Sequence, residues 1–373
     1  MKEPGSVFRK HGNRRSFLKD GIAVAGAATV GAGLLAGGMP AFGQDTGDPP
    51  TKGDVAILQL LLAAEIIETD LWQQYRELGG VEATGSISQP YITALQQLDG
   101  DMPQYISDNT DDEISHVAFL RAYLKSKGHT PVDLGQFAHN IPPSAVKGVP
   151  QTGRLTNLKQ LSVDTSWWGR YRSKENPDLG ADDFAQAVPS LLSGKFTAIP
   201  RDAADLADSN RIQAIADTAG FHFGFIEQAG TSLYATLSQR VSSPEVLRIT
   251  ISIGGSEIMH FQVWHDKAGN ANAGNPVPFT VFDPVNKSTV TFTDLTTNQP
   301  ESLQSNLIMP EPTDFIRGLP EVAVIRPTGA GQIDARGAIK GFIADGLFIG
   351  QPNSFSELLL DLAADADRAK REL

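Results

Sequence analysis

The sequence predicts an all-α protein: a four-helix bundle whose second and third helices are joined by a long crossover. Three observations carry this expectation. Four long stretches place apolar residues at alternating spacings of three and four, which line one face of a helix. Their ends carry helix punctuation: glycine at the stops, and serine or proline at the starts. Two of the four contain the same tetrapeptide, Glu113-Ile114-Ser115-His116 and Glu257-Ile258-Met259-His260.

Composition narrows the chemistry. The 373 residues are 40% hydrophobic and 20% charged, which excludes a chain too polar to build a core. A formal net charge of -12 argues against a nucleic-acid binder. The absence of cysteine excludes disulfides, iron–sulfur clusters, thiolate zinc sites and cysteine nucleophiles. Carboxylates and imidazoles are left as the metal ligands.

Residues 1–43 read as an export signal. Asn13-Arg14-Arg15-Ser16-Phe17-Leu18-Lys19 sets a twin arginine ahead of an apolar run from Gly21 to Gly38. Ala41-Phe42-Gly43 then supplies small residues for cleavage. The run is rich in Gly and Ala and weakly hydrophobic, which suits a twin-arginine (Tat) signal better than a permanent membrane span. The signal carries six basic and two acidic residues, so its removal takes the net charge from -12 to -16. The expected location is the periplasm, or otherwise outside the cytoplasm.

Beyond a Gly/Asp/Pro/Thr-rich linker, the first helix is expected over 54–78. Leu58, Leu61, Glu65, Glu68, Trp72 and Tyr75 share its face, and Gly79-Gly80 stops it. A short helix fits Tyr91–Leu98. The second long helix is expected over 103–127, with Pro103 in its first turn and Gly128 after its end. Residues 129–205 are rich in Pro, Gly, Asp and Ser, and read as a crossover with short helices anchored by Trp167, Trp168 and Phe184. The third helix is expected over 209–241, with Ser209 as cap. Ser242-Ser243-Pro244-Glu245 restarts the chain into a fourth helix over 244–267, where Gly254-Gly255 marks close packing. The bundle thus spans 54–268. Residues 269–373 form a mostly irregular extension, with a hairpin over Val277–Phe282 and Ser288–Thr293 and an amphipathic helix over Ser354–Leu373. The extension reads as a wrap over the bundle or as a contact in a homo-oligomer.

The two Glu-x-x-His pairs carry the chemistry. Residues i and i+3 lie about 60° apart around a helix and about 4.5 Å apart along it, so each Glu and His point the same way. Random placement of 15 Glu and 7 His in 373 residues gives fewer than one such pair. The pairs sit on alternate helices, and each preceding helix carries a glutamate on or beside its apolar stripe. These are Glu65 or Glu68 on the first helix and Glu227, beside Ile226 and Gly230, on the third. Four carboxylates and two imidazoles projecting into a four-helix bundle make a dinuclear metal site. Buried among Leu and Ile, four carboxylates would repel one another and pay for desolvation. Two divalent cations neutralise them. Oxygen-rich ligation with two imidazoles suits two iron or manganese ions.

Tyr234 follows Glu227 by two turns on the same face and could hydrogen-bond a ligand or carry an oxidation. His222 and His265 lie near the stripes as further candidates. No Gly-x-Ser-x-Gly elbow and no phosphate-cradling glycine loop is present.

The stretches Ala64–Glu68, Asp112–Leu120, Ile226–Tyr234 and Glu257–His260 resemble the bacterial ferritin-like domain family, whose exported members include desiccation-associated proteins. The resemblance covers 54–128 and 209–267. It implies a ferritin-like bundle with a di-iron or di-manganese centre held by Glu65, Glu113, His116, Glu227, Glu257 and His260. It favours Glu65 over Glu68, because the family places its ligand first in the Glu-x-x-Glu pair. The chain departs from the family at Trp72, where relatives often carry tyrosine. The function expected is an exported protein whose two metals react with oxygen or peroxide under oxidative or desiccation stress. Ferroxidase, peroxidase and catalase-like chemistry are equally compatible with it. The rival reading is a stress-associated structural or binding protein with a vestigial or purely structural metal site.

Overall fold

A computed structural model describes residues 49–171, 184–271, 278–295 and 334–372. The expected export signal, residues 1–43, lies outside the described residues.

Four long helices build the bundle: α1 (Lys52–Gly79), α3 (Met102–Ser126), α7 (Ser209–Ser238) and α8 (Pro244–Ala268). Each bound lies within three residues of its sequence expectation. α1 pairs with α3, joined through the short α2 (Gln89–Leu95), and α7 pairs with α8. Both pairs are antiparallel. On α1–α3, Thr110 donates to the Trp72 carbonyl while Gln59 donates to the Thr130 carbonyl. On α7–α8, Ser238 meets Thr250 near the turn.

Local chemistry explains the starts. Thr51 and Asp54 form a reciprocal capping box on α1. Asp54 also accepts from the backbone N–H groups of Ser242 and Ser243, so one buried carboxylate ties the first helix to the α7–α8 turn. α8 starts as expected, with Ser243 capping Val246 N and Pro244 in the first turn. The cap of α7 differs from expectation. Asp208, not Ser209, accepts from the N–H groups of Asn210 and Arg211, because its carboxylate reaches the free donors from one position earlier.

The crossover packs on the bundle through buried polar anchors. Asp70 of α1 accepts from Leu155 N, Thr156 N and Thr156 Oγ1. Trp167 and Trp168 open a four-residue α4 (Trp167–Arg170), followed by α5 (Pro189–Ser193) and α6 (Ala203–Ala207). Gly224 of α7 leaves room for Trp167, since a Cβ there would lie 2.5 Å from its ring.

After α8 come a two-stranded hairpin, β1 (Phe279–Asp283) and β2 (Ser288–Phe292), paired Phe279 to Phe292, and two helices, α9 (Ala335–Ala344) and α10 (Asn353–Arg368). Helix α9, which the sequence reading does not anticipate, contacts α7 and α10, and α10 lies along α1. Among the described residues, no helix is long and apolar enough to cross a membrane.

Candidate metal centre

At one level of the bundle interior all four long helices contribute buried charged side chains. Glu113, Glu227 and Glu257 have no exposed surface and Glu65 is 1% exposed. Nothing apolar around them compensates so much buried charge. The compensation is mutual, between carboxylates and two imidazoles.

His116 and His260 point their Nδ1 atoms into the cluster. His116 Nδ1 lies 2.9 Å from Glu113 Oε2, 3.2 Å from Glu65 Oε2 and 3.6 Å from Glu257 Oε1. His260 Nδ1 lies 3.1 Å from Glu113 Oε1 and 3.3 Å from Glu227 Oε2. The outer ring nitrogens are held from behind: His116 Nε2 is 3.0 Å from Ser256 Oγ, and His260 Nε2 is 3.0 Å from Asp112 Oδ2. A hydrogen-bond acceptor behind each ring is what fixes a histidine with its other nitrogen turned towards a metal.

The ligand atoms fall into two overlapping groups. Glu65, Glu113, His116 and Glu257 offer atoms within 4.8 Å of one another, and so do Glu113, Glu227, Glu257 and His260. Glu113 and Glu257 belong to both groups. Glu68 belongs to neither. It lies one turn from Glu65, is 9% exposed, and its Oε1 has no hydrogen-bond partner.

The residues fit such ions on two observations. Both Glu257 oxygens, Glu227 Oε2 and His260 Nδ1 are buried without a hydrogen-bond partner, although other ligand atoms lie close by. Facing lone pairs without donors between them is the arrangement a cation completes. The second observation is Gly230. A Cβ there would lie 2.4 Å from Glu257 Oε2, so the missing side chain is the space the carboxylate occupies. Gly254 does the same for Tyr234, whose Cβ would lie 2.9 Å from an added Cβ.

The electrostatics agree. Burial pushes Glu113 up to about 7 against the opposing pull of the nearby His116 and His260 rings. Burial, then repulsion from neighbouring carboxylates, pushes Glu257 and Glu68 well above the carboxylate range. Burial alone would lower His116, but hydrogen bonds to Glu113 and Glu65 outweigh it and raise it to about 10. His260 is likewise held up, chiefly by Glu227 against the effect of burial. Metal ligands must be deprotonated, so a bound cation would compete with protons at these groups.

Four supporting residues, Asn109, Trp264, Asp112 and Ser256, are given no role by the sequence reading. Asn109 donates to Glu113 Oε1 at 2.8 Å and to Glu227 Oε1 at 3.0 Å. Its own carbonyl accepts from Trp264 Nε1 at 2.9 Å. Trp264 stacks on Trp72 with ring centroids 5.3 Å apart. Asn109 stands one turn before Glu113, and Trp264 one turn after His260. Asp112 adjoins Glu113. The helical repeat around each Glu-x-x-His pair is the signal that marks them.

Of the remaining candidates, Tyr234 donates a hydrogen bond to Glu65 Oε1. His222 does not join the cluster. Its Nδ1 lies 2.6 Å from the Tyr75 hydroxyl, and burial lowers its pKa to about 3. His265 is packed among Trp167, Trp168 and Phe261. An open groove of about 800 Å³ between α3 and α8 reaches the centre at His116.

Comparison with known proteins agrees with the architecture. Residues 53–270 match the ferritin-like domain family, which covers all four bundle helices and the crossover. Among curated proteins and solved structures, nothing matches the chain. With the match extending over more than half its length and a bundle of this topology, the chain belongs to the ferritin-like domain family.

Proposed function

We propose that the protein is an exported di-metal oxidoreductase that reacts with oxygen or peroxide. The observation that carries this reading is the pair of overlapping ligand groups sharing Glu113 and Glu257. Glu65 and His116 would hold one iron or manganese ion, Glu227 and His260 the other, and the shared carboxylates both. When bound, the ions supply the one-electron chemistry that no side chain of the cluster has. The chain's own residues do the rest. Ser256 and Asp112 fix the imidazoles, Asn109 aligns Glu113 with Glu227, and Tyr234 holds a proton on Glu65 Oε1. Protein loaded with Fe(II) should consume oxygen or peroxide and develop ferric absorption, followed in an oxygen electrode and a spectrophotometer. A protein that binds two ions yet is inert to both oxidants would instead be a structural metal protein.

Export rests on the Arg14-Arg15 pair, the apolar run and the Ala41-Phe42-Gly43 stretch. A Tat receptor reads the arginines themselves and not merely their charge. Arg14→Lys with Arg15→Lys should therefore leave the precursor in the cytoplasm on fractionation. Unchanged delivery of the double variant would point to another route. A part in oxidative or desiccation stress rests on the resemblance to exported ferritin-like proteins.

A further inference from the structure

The rest of the chain covers the bundle unevenly. Helix α10 lies along α1, α6 and α9 contact α7, and the crossover is anchored on Asp70 of α1. The surface shared by α3 and α8 keeps an open groove. The two helices run antiparallel there: Asn109 meets Trp264, His116 meets Ser256 and Tyr123 meets Glu245. The middle of this surface is apolar and small. Phe119 and Met259 are 51% and 59% exposed, and Ser115, Ser252 and Gly255 lie beside them. One end is acidic, with Asp108 of α3 and Asp266 of α8, while the other carries Lys125 of α3 and Arg248 of α8. Lys267 at the acidic end is bound to Asp99 and Asp266, and Glu245 at the basic end to Lys127. Helical spacing sets Met259 on the face of the groove-lining Ser252, and Asp108 on the face of Ser115.

We propose that this surface docks a second copy of the chain, antiparallel, about a two-fold axis that lies in the surface and crosses both helices at the His116–Ser256 level. A surface acidic at one end, basic at the other and apolar between matches its own copy when reversed end to end. The helical rise fixes which residues meet. On α3, Ser115 and Phe119 stand about 3 Å to either side of the axis, so each Phe119 faces the partner's Ser115. On α8, Ser252 and Met259 stand about 5 Å to either side, so each Met259 enters the partner's groove at Ser252. A large side chain meets a small one in both places, as close packing across an interface requires. Asp108 and Lys125 lie about 13 Å to either side and face each other between copies. Arg248 and Asp266, about 11 and 16 Å from the axis, come within reach of an arginine side chain. The groove that reaches His116 is thereby roofed by the partner's α8. The inference does not depend on whether bound metals react with an oxidant.

Analytical ultracentrifugation of the purified full chain at micromolar concentration should give twice the mass of one chain. Cysteine placement then tests the axis, since the chain has no cysteine of its own. An added Cβ at Gly255 meets nothing within 4 Å, so Gly255→Cys leaves the fold undisturbed. Residue 255 stands within about 1 Å of the axis level, and two Gly255→Cys chains should join through a disulfide under mild oxidation. Lys125→Cys, whose counterpart would lie about 25 Å away along α3, should not. Phe119→Glu should weaken association by about tenfold or more. Arg248→Glu should do the same, and adding Asp266→Arg to it should restore the dimer. A monomeric wild type would overturn the proposal. So would a dimer that Gly255→Cys fails to cross-link, or that Lys125→Cys cross-links equally well. A double charge reversal that leaves the Arg248→Glu defect in place would overturn the antiparallel pairing. A monomer whose Phe119→Cys thiol resists maleimide would assign the surface to another segment of the same chain, which overturns it likewise.

Discussion

Glu257→Gln should bind almost no metal and yet melt no lower than the metal-free wild type. The two halves of this result have one cause. Glu257 belongs to both ligand groups, so its loss weakens both ions together. In the stripped protein the same carboxylate is fully buried beside Glu113, Glu65 and Glu227, and its charge is a cost. A near-isosteric amide removes the repulsion, keeps the volume beside Gly230, and leaves the fold at least as stable. Glu113→Gln should behave similarly. Glu68→Gln should retain two ions, because Glu68 stands outside both groups. Metal analysis after dialysis, with calorimetric melting in chelator, reads both quantities. A Glu257→Gln protein that keeps two ions would disprove the shared-ligand geometry.

Stripping the metal should also reverse how stability responds to pH. The His116 pKa is about 10 in the folded chain against an ordinary 6.5. Its contribution is complete below about 6.5 and is lost as pH rises towards about 10. Glu113 sits at about 7 against an ordinary 4.5, so the unfolded chain ionises first and the folded state loses ground between those values. Both slopes have the same sign; buried His222, held down to about 3, opposes them below about 6.5, so stripped protein should lose stability chiefly from about pH 6.5 to 9. The lowered carboxylates Glu82, Asp99 and Asp205 act only below this window. Metal ligands must be deprotonated, so metal affinity rises with pH across the same range. Each ion at a hundredfold excess over its dissociation constant adds about 2.7 kcal/mol. Two ions would then raise the melting temperature by roughly 10–20 °C at neutral pH. Melting curves with Mn(II) and with chelator should diverge as pH rises. Parallel curves would show that the cluster does not exchange protons for metal.

The bundle was legible because its residues obey helical spacing and local capping together. Lys52–Gly79 and Pro244–Ala268 follow from apolar stripes, a glycine stop and a Ser-Pro start that agree with one another. Glu113, His116, Glu257 and His260 were legible for the same reason, since i, i+3 spacing fixes a shared direction before any tertiary contact is known. Choosing Glu65 over Glu68 was different. Both occupy the apolar stripe, and only the resemblance separated them, because the distinction depends on how far α1 is rotated against its neighbours. Asn109 and Trp264 are ordinary stripe residues in the sequence, and their roles come from a hydrogen bond between two helices. Helix α9 was not legible. Its ten residues include two glycines, and what steadies it is tertiary: Asp334 caps Gly337 N, and Asp367 of α10 accepts from Ala335 N and Arg336 N.

The position of α10 has a consequence in time. α1 is the first bundle helix made, and α10, which lies along it, is the last described helix of the chain. At about 5–20 residues per second of synthesis, α1 waits roughly 15–60 s for this neighbour. Gly53 and Ala369 then meet closely enough that an added Cβ at 53 would lie 3.2 Å from the Ala369 Cβ. Arg240 pairs with Asp367, and Glu372 N bonds Ser242 Oγ across the α7–α8 turn. These closures join segments far apart in sequence, the kind of pairing that forms slowly because a long loop must be ordered first. The nascent bundle therefore leaves one face of its first helix uncovered until α10 has been made.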